Sequence, residues 1–215
     1  RRHPDPEVRA AAQARVDLVV PLVKAWSTDC GVEIASLGVQ VHGGAGFIEE
    51  TGAAQFYRDC RITPIYEGTN GIQAIDLVGR KILRDRGDAV LSFLREVRET
   101  QVRHAGIAAS LSSALSAVEV ATQWILDDDG KNPHRVLAGA TPYLRALSLV
   151  AGGWLMARAA NIAAEGGSAG DRDFYTAKLA TARFYAASLL PQAAAFASAA
   201  TSGADDVMAL AAETF

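Results

Sequence analysis

One carboxylate stands where a general base could be held. Glu67 lies in Ile65-Tyr66-Glu67-Gly68-Thr69-Asn70, at a glycine-marked break before a helical pattern that Thr69 can cap, and such a break fixes an acidic side chain beside apolar neighbours. Burial among Ile65, Tyr66 and Ile72 is the expected means of drying it. A backbone N–H at the start of the Thr69 helix is suited to donate to an oxyanion developing beside that base. Taken alone, Glu67 equally fits a solvated charge at a helix N-terminus. Upstream, Gln40-Val41-His42-Gly43-Gly44-Ala45-Gly46-Phe47 offers bare backbone. Such glycines either end a helix or let a ligand approach the main chain closely. His42 reads as a helix-end packing residue. Arg58-Asp59 reads as a structural pair anchoring the segment ahead of Glu67, since a guanidinium has fixed geometry and no accessible proton.

The elements that must position these groups are helical. Apolar positions recur at helical spacing over residues 7–20, and Pro21 is suited to open a second helix over residues 21–41, because a first-turn amide has no partner inside its helix. A short helix follows over residues 52–58. Pro64 and the β-branched Ile62, Thr63 and Ile65 make residues 62–68 a non-helical crossing. Thr69 starts a helix reaching about Arg84, with Lys81, Arg84 and Arg86 complementing its C-terminal dipole. Gly87 marks a boundary between a first domain, residues 1–86, and a second, residues 87–215. The second reads as helices over residues 88–109, 113–126, 142–165 and 171–190, with a polar turn at 127–132 and glycines Gly166 and Gly167 closing the third. Its tail reads as two short helices split by Gly203. Trp124, Trp154, Phe174, Tyr175, Phe184 and Tyr185 are expected in a helix-on-helix core, and Gly152-Gly153 is expected to allow close helix approach. Nothing alternates with period two for long enough to make a sheet, so the fold class is all-α: a helical bundle followed by a second helical bundle.

Composition removes several functions. Half of the 215 residues are apolar, enough for a substantial core. The net charge of −3, with both signs scattered, lacks the field needed to hold nucleic acid. Cys30 and Cys60 cannot build a disulfide framework and show no metal spacing, so they read as small buried fillers. Asp127-Asp128-Asp129-Gly130 lacks the spaced ligands and terminal glutamate of a calcium loop and reads as a solvated turn. His104 and His134 have no spaced partners. The longest apolar run, residues 146–156, is too short for a membrane span and is bracketed by Arg145 and Arg158. Arg1-Arg2-His3-Pro4 carries no signal-peptide core. These features predict a soluble protein of the reduced cytoplasm.

Three motifs in order, Gln40-x-x-Gly43-Gly44-x-Gly46-Phe47, Tyr57-Arg58-Asp59 and Ile65-Tyr66-Glu67-Gly68-Thr69-Asn70 with Ile72-Gln73 following, resemble the C-terminal catalytic region of the flavin-dependent acyl-CoA dehydrogenases. The segment from Thr141 to Pro191, with Gly152-Gly153-Trp154 and Phe174-Tyr175-Thr176-Ala177-Lys178, resembles the helical extension of that family's longer members, in the layout of the 3-methylmercaptopropionyl-CoA dehydrogenase type. The resemblance implies α,β-dehydrogenation of an acyl-CoA thioester, with Glu67 taking the α-proton while the β-hydrogen leaves as hydride to FAD. It implies Tyr66 and Gly68 beside the substrate, and Gln40, Gly43, Gly44, Thr69 and Gly71 around FAD, the first three often across a subunit boundary. Gly71 departs from the longer polar residue many members carry, so a bond to the cofactor there is lost or supplied elsewhere. It further implies electron-transfer flavoprotein as electron acceptor and a homo-oligomer, a dimer or a dimer of dimers. The family's N-terminal helical domain and middle β-barrel have no counterpart in this sequence. The expectation is therefore a fragment that binds FAD poorly and is inactive by itself, or alternatively a non-catalytic helical oligomerisation or interaction module.

Overall fold

The computed structural model describes residues 3–128, 131–166, 171–209, 211 and 213. Among the described residues ten α-helices follow one another and no strand occurs, in keeping with the absence of period-two patterning.

Helix α1, Pro6–Val41, is a single 36-residue rod with Pro21 inside it. This corrects the expectation of two helices meeting at Pro21. An interior proline forfeits a hydrogen bond to the preceding turn, but Leu18, Pro21, Leu22 and Ala25 are all buried on one stripe at helical spacing, and that packing carries the helix through. Asp5 caps its start by accepting from the Glu7 N–H at 2.8 Å. A one-turn helix α2, Gly44–Phe47, and a 3₁₀ turn, Glu49–Thr51, lead into α3, Ala53–Arg61. After a non-helical crossing, α4, Asn70–Ile75, runs on as a π-helical segment, Asp76–Ile82, whose Lys81 lies within 4.0 Å of both Asp76 and Asp17.

Beyond Gly87 come α5, Asp88–Glu99, α6, Ala105–Asp128, α7, Pro133–Ala138, α8, Ala140–Glu165, α9, Arg172–Phe184, continued by a π segment Tyr185–Leu189, and α10, Gln192–Ala200. The helix expected over residues 88–109 stops ten residues early. Thr100 accepts from Trp154 Nε1 at 2.8 Å, the Arg103 N–H donates to Asn161 Oδ1 at 2.9 Å, and Asn161 Nδ2 donates to the Gln101 carbonyl at 2.6 Å. Side chains of α8 thus satisfy the backbone that a continued helix would have used. Helix α7 was not expected; Asn132 caps it by accepting from the Arg135 N–H, and a proline occupies its first turn. The acidic turn is also not wholly solvated: Asp128 is buried, accepts from the Asn132 N–H at 3.0 Å and faces Arg135 at 3.6 Å. Asp129, Gly130 and Gly167 lie outside the described residues. After Gly203 the tail forms turns through residue 209 in place of a second short helix.

One contiguous apolar core joins α5, α6, α8 and α10 to Leu18 and Leu22 of α1 and to Leu77, Val78 and Ile82 beyond α4. Gly152 and Gly153 allow the expected close approach, since a Cβ on Gly153 would lie 2.6 Å from Leu190 and one on Gly152 would overlap the Tyr185 hydroxyl. Trp154 is buried, but Phe174 and Phe184 are more than half exposed, against expectation. They lie on the outer side of α9, where Phe174 stacks edge-on with Tyr175 and beneath Lys178. Helices α6 and α8 are each long and apolar enough to cross a bilayer by length and composition. Their inward residues form the core just described. Residues 26–73, which carry every candidate site residue but none of that core, bury only Gly46 and Ala53.

Candidate active site

The crossing between α3 and α4 is a loop folded on itself. The Thr63 N–H donates to the Cys60 carbonyl at 3.0 Å, and the amides of Ile65 and Tyr66 share the Ile62 carbonyl at 2.9 and 3.1 Å. The Asn70 N–H then reaches back to the Pro64 carbonyl at 3.0 Å and closes the loop. Glu67 sits at its apex with φ 55°, followed by Gly68 at φ 81°. A left-handed backbone is costly for a residue with a Cβ, on the order of 1–2 kcal/mol, and persists only when its surroundings enforce it. Thr69 caps α4 as the sequence predicts, its hydroxyl accepting from the Ile72 N–H at 3.3 Å.

What enforces the loop is Asn70, a residue to which the sequence reading gave no role. Its side-chain amide lies on one face of α1, where Nδ2 donates to Asp29 Oδ1 at 2.7 Å and to Thr28 Oγ1 at 2.9 Å. Its Oδ1 accepts from Lys24 Nζ at 2.8 Å. The polar groups Lys24, Thr28 and Asp29 recur at helical spacing in the sequence, which is the one signal that could have marked α1 as the partner of a part-buried amide.

Around the apex, the N–H groups of Glu67, Gly68 and Thr69 donate to no group among the described residues. Gln73 Nε2 approaches the Glu67 and Gly68 carbonyls only at 3.5 Å. The Glu67 side chain is exposed. Ile65, Tyr66 and Ile72 are themselves 48%, 48% and 55% exposed, so the drying expected of them is not achieved among the described residues. Tyr66, Gly68, Thr69 and Gly71 are likewise exposed and gather around Glu67 within the same loop and helix start.

The glycine turn lies elsewhere. Gln40, Gly43 and Gly44 are exposed at the far end of α1, and a rise of 1.5 Å per residue puts Val41 about 18 Å beyond Asp29. Among the described residues no hydrogen bond joins Gln40, Gly43 or Gly44 to the Glu67 loop. Gly43 has φ 60° and ψ −144°, a conformation for which glycine is required, and nothing lies within 4 Å of a Cβ built on Gly43 or Gly44. Gly46, by contrast, is packed against the Val39 carbonyl and His42, which folds the turn back on α1. His42 fills its expected helix-end role, its Nδ1 lying 2.9 Å from the Gly38 carbonyl. Arg58 does not pair with Asp59; it forks onto Glu49 at 2.8 and 3.0 Å, and that hydrogen bond and charge hold the Glu49 carboxyl below its ordinary range. Behind the loop, a cleft of about 560 Å³ runs between Trp26, Asp29, Tyr57, Pro64, Arg145 and Phe196. Burial, with the neighbouring Glu33 and Asp29 carboxylates, pushes the Cys30 thiol up at its floor, which suits a filler and not a nucleophile.

Residues 8–83 match the family described as "Acyl-CoA dehydrogenase, C-terminal domain". Residues 93–211, more than half of the chain, match the one described as "Acetyl-CoA dehydrogenase C-terminal like". The chain belongs to the acyl-CoA dehydrogenase family. This acyl-CoA dehydrogenase chain is 44% identical over 214 residues to 3-methylmercaptopropionyl-CoA dehydrogenase of Ruegeria pomeroyi, an alignment covering 96% of the chain and 36% of that protein. It is 30% identical over 191 residues to the broad-specificity linear acyl-CoA dehydrogenase FadE5 of Mycobacterium tuberculosis, covering 81% of the chain and 31% of that protein. A shorter stretch, 58 residues covering 27% of the chain and 15% of the relative, is 40% identical to a caffeyl-CoA reductase-Etf complex subunit, CarC, of Acetobacterium woodii. The chain spans about a third of the length of the first two relatives.

Proposed function

We propose that Glu67 is the base that removes the α-proton of an acyl-CoA thioester in a flavin-dependent α,β-dehydrogenation. The observation that carries this reading is the apex itself: a carboxylate held at φ 55° by a closed loop, with three uncommitted backbone amides beside it. A thioester α-proton is only weakly acidic, so abstraction needs a base already aimed and donors waiting for the charge that develops on the thioester oxygen. The free amides of Glu67, Gly68 and Thr69 are such donors, and Ile65, Tyr66 and Ile72 are an apolar bed for the acyl chain. The carboxylate is dried when a further surface closes over that bed. FAD, when bound, accepts the β-hydrogen as hydride. Thr69 and Gly71 border it in this reading, while Gln40, Gly43 and Gly44, at and just beyond the C-terminal end of α1, serve the cofactor of a second subunit. That division fits an open glycine turn with no neighbour over it. It makes the working unit a dimer or a dimer of dimers.

In this reading residues 1–86 carry the chemistry, residues 87–215 are the helical extension, electrons pass to an electron-transfer flavoprotein, and the protein works in the cytoplasm. By itself the chain binds FAD poorly and is inactive, because no surface that dries Glu67 forms among the described residues.

The test is Glu67→Gln in a flavin-loaded protein that carries this chain together with the surface that closes over Glu67. Addition of acyl-CoA bleaches the flavin bands of the parent, whereas the variant stays yellow with its flavin affinity unchanged. A variant that bleaches at the parent rate removes Glu67 from the reaction. The exposure of Glu67 favours a second reading, a non-catalytic oligomerisation module. Under it, neither protein takes up flavin, and both remain colourless with FAD present in any oligomeric state.

A further inference from the structure

Glu67 and Gly68 are two successive left-handed residues on a loop that buries nothing of its own. Their conformation must therefore be imposed from outside. The loop is closed at Asn70, whose backbone N–H holds Pro64 and whose side chain holds α1. The strongest of those side-chain bonds ends on Asp29, at 2.7 Å. The second oxygen of the same carboxylate, Asp29 Oδ2, accepts from Arg145 at 3.3 Å. Arg145 belongs to α8, the central helix of the second bundle, and its guanidinium lies 5.7 Å from the centre of the Phe196 ring on α10. Its Nε is buried with no acceptor, which leaves Asp29 as its one ion-pair partner among the described residues. One carboxylate thus links the two bundles to the reactive loop.

We propose that Arg145, Asp29 and Asn70 form a positioning relay through which the C-terminal bundle holds the Glu67 turn in its working shape. Arg145 is a positioning residue in this scheme: it acts on the Glu67 turn through Asp29 and Asn70. It fixes the rotamer of Asp29, which fixes the Asn70 amide, which fixes both ends of the loop. Without Arg145, Asp29 is free to turn toward solvent or draw Lys24 away from the Asn70 oxygen. Both changes loosen the amide that closes the loop, and the left-handed turn relaxes. The role assigned to catalysis rests on the reading of Glu67 as base; the mechanical link does not.

Two measurements separate those claims. Amide hydrogen exchange in the full chain reports the loop directly. Arg145→Gln is expected to speed exchange at Tyr66 and Asn70 about tenfold while leaving the amides of α6 unchanged, and Arg145→Lys, which keeps the charge, is expected to restore most of the protection. In the same flavin-loaded protein that serves to test Glu67, where a further surface closes over the loop, Arg145→Gln is expected to lower kcat about tenfold with KM unchanged, and Arg145→Lys to recover it. A residue that only stabilised the fold would leave kcat intact in the fraction that remains folded. Should Arg145→Gln unfold, Asp29→Asn carries the same two expectations, since it keeps the shape and removes the charge that Arg145 reads. Parent-like exchange at Tyr66 and Asn70 in the folded variant overturns the relay. Faster exchange with parent kcat overturns its catalytic role. A parent protein that never bleaches with acyl-CoA overturns Glu67 as base, and the exchange arm still decides whether the relay exists.

Discussion

Removing the Asn70 amide should cost more than any other single truncation on the exposed side of the molecule. Asn70→Ala deletes a charge-assisted bond to Asp29 at 2.7 Å, another from Lys24 at 2.8 Å and a neutral bond to Thr28 at 2.9 Å. Bonds to charged groups contribute about 1.5–3 kcal/mol each and neutral ones about 0.5–1.5, a gross total of roughly 3.5–7.5 kcal/mol. The site is only part-buried, so water reaches the vacated Lys24 and Asp29 and recovers much of that, leaving a net loss of about 2–3 kcal/mol. For a chain of this size, such a loss lowers Tm by roughly 4–12 °C. Thermal unfolding followed by circular dichroism measures it, with urea titration as the independent check. Asn70→Asp sharpens the argument, because it sets a second carboxylate against Asp29: the loss should be at least as large at neutral pH and should shrink in acid, where the new carboxyl protonates. A loss below about 0.5 kcal/mol for Asn70→Ala would refute the view that this amide holds the loop.

Gly139→Ala should destabilise by about 3 kcal/mol in urea titration, because its Cβ would lie 2.8 Å from the Ala200 carbonyl carbon and a backbone cannot swing aside as a side chain does. Alkaline unfolding should begin above pH 10. Desolvation raises both the Tyr143 and Tyr185 phenols, the latter up to about 12, so the folded state favours the neutral form; their contribution is whole below the ordinary value of 10.0 and is lost as pH rises through the folded values. Tyr143→Phe should flatten that fall, with a slope smaller by up to about 1.4 kcal/mol per pH unit, at the expense of the bond its hydroxyl donates to Thr122. The hydrogen is the tyrosine's, since Thr122 spends its own on the Val118 carbonyl at 2.7 Å. An unfolding curve superimposable on the parent's from pH 10 to 12 would contradict this.

Local chemistry was readable and its distant partners were not. Thr69 as a cap, the non-helical crossing through Pro64 and the close approach at Gly152-Gly153 each follow from a residue's own stereochemistry or from its size, and each appears in the structure. Pro21 misled because its cost is local while its compensation, burial of one stripe of α1, comes from helices far along the chain. The break after Glu99 was invisible for the same reason: Trp154 and Asn161 supply it from more than fifty residues away. At the candidate site, Glu67 could be singled out by its flanking residues, yet its left-handed backbone and its exposure could not. Asn70 was passed over because a helix-start asparagine is ordinary until its partners on α1 are known. Arg145 was noted only as the bracket of an apolar run, and nothing nearby in sequence points to Asp29.

Residues 26–73 bury almost nothing, while folding strength resides in α5, α6, α8 and α10. Substitutions on the outer faces of that stretch are thus nearly free of thermodynamic penalty, and a lineage can remodel that surface without first gaining stability to spare. Pro64, Asn70 and Asp29 are the exceptions, and libraries aimed at altered selectivity should leave those three untouched while varying Ile65, Tyr66 and Ile72.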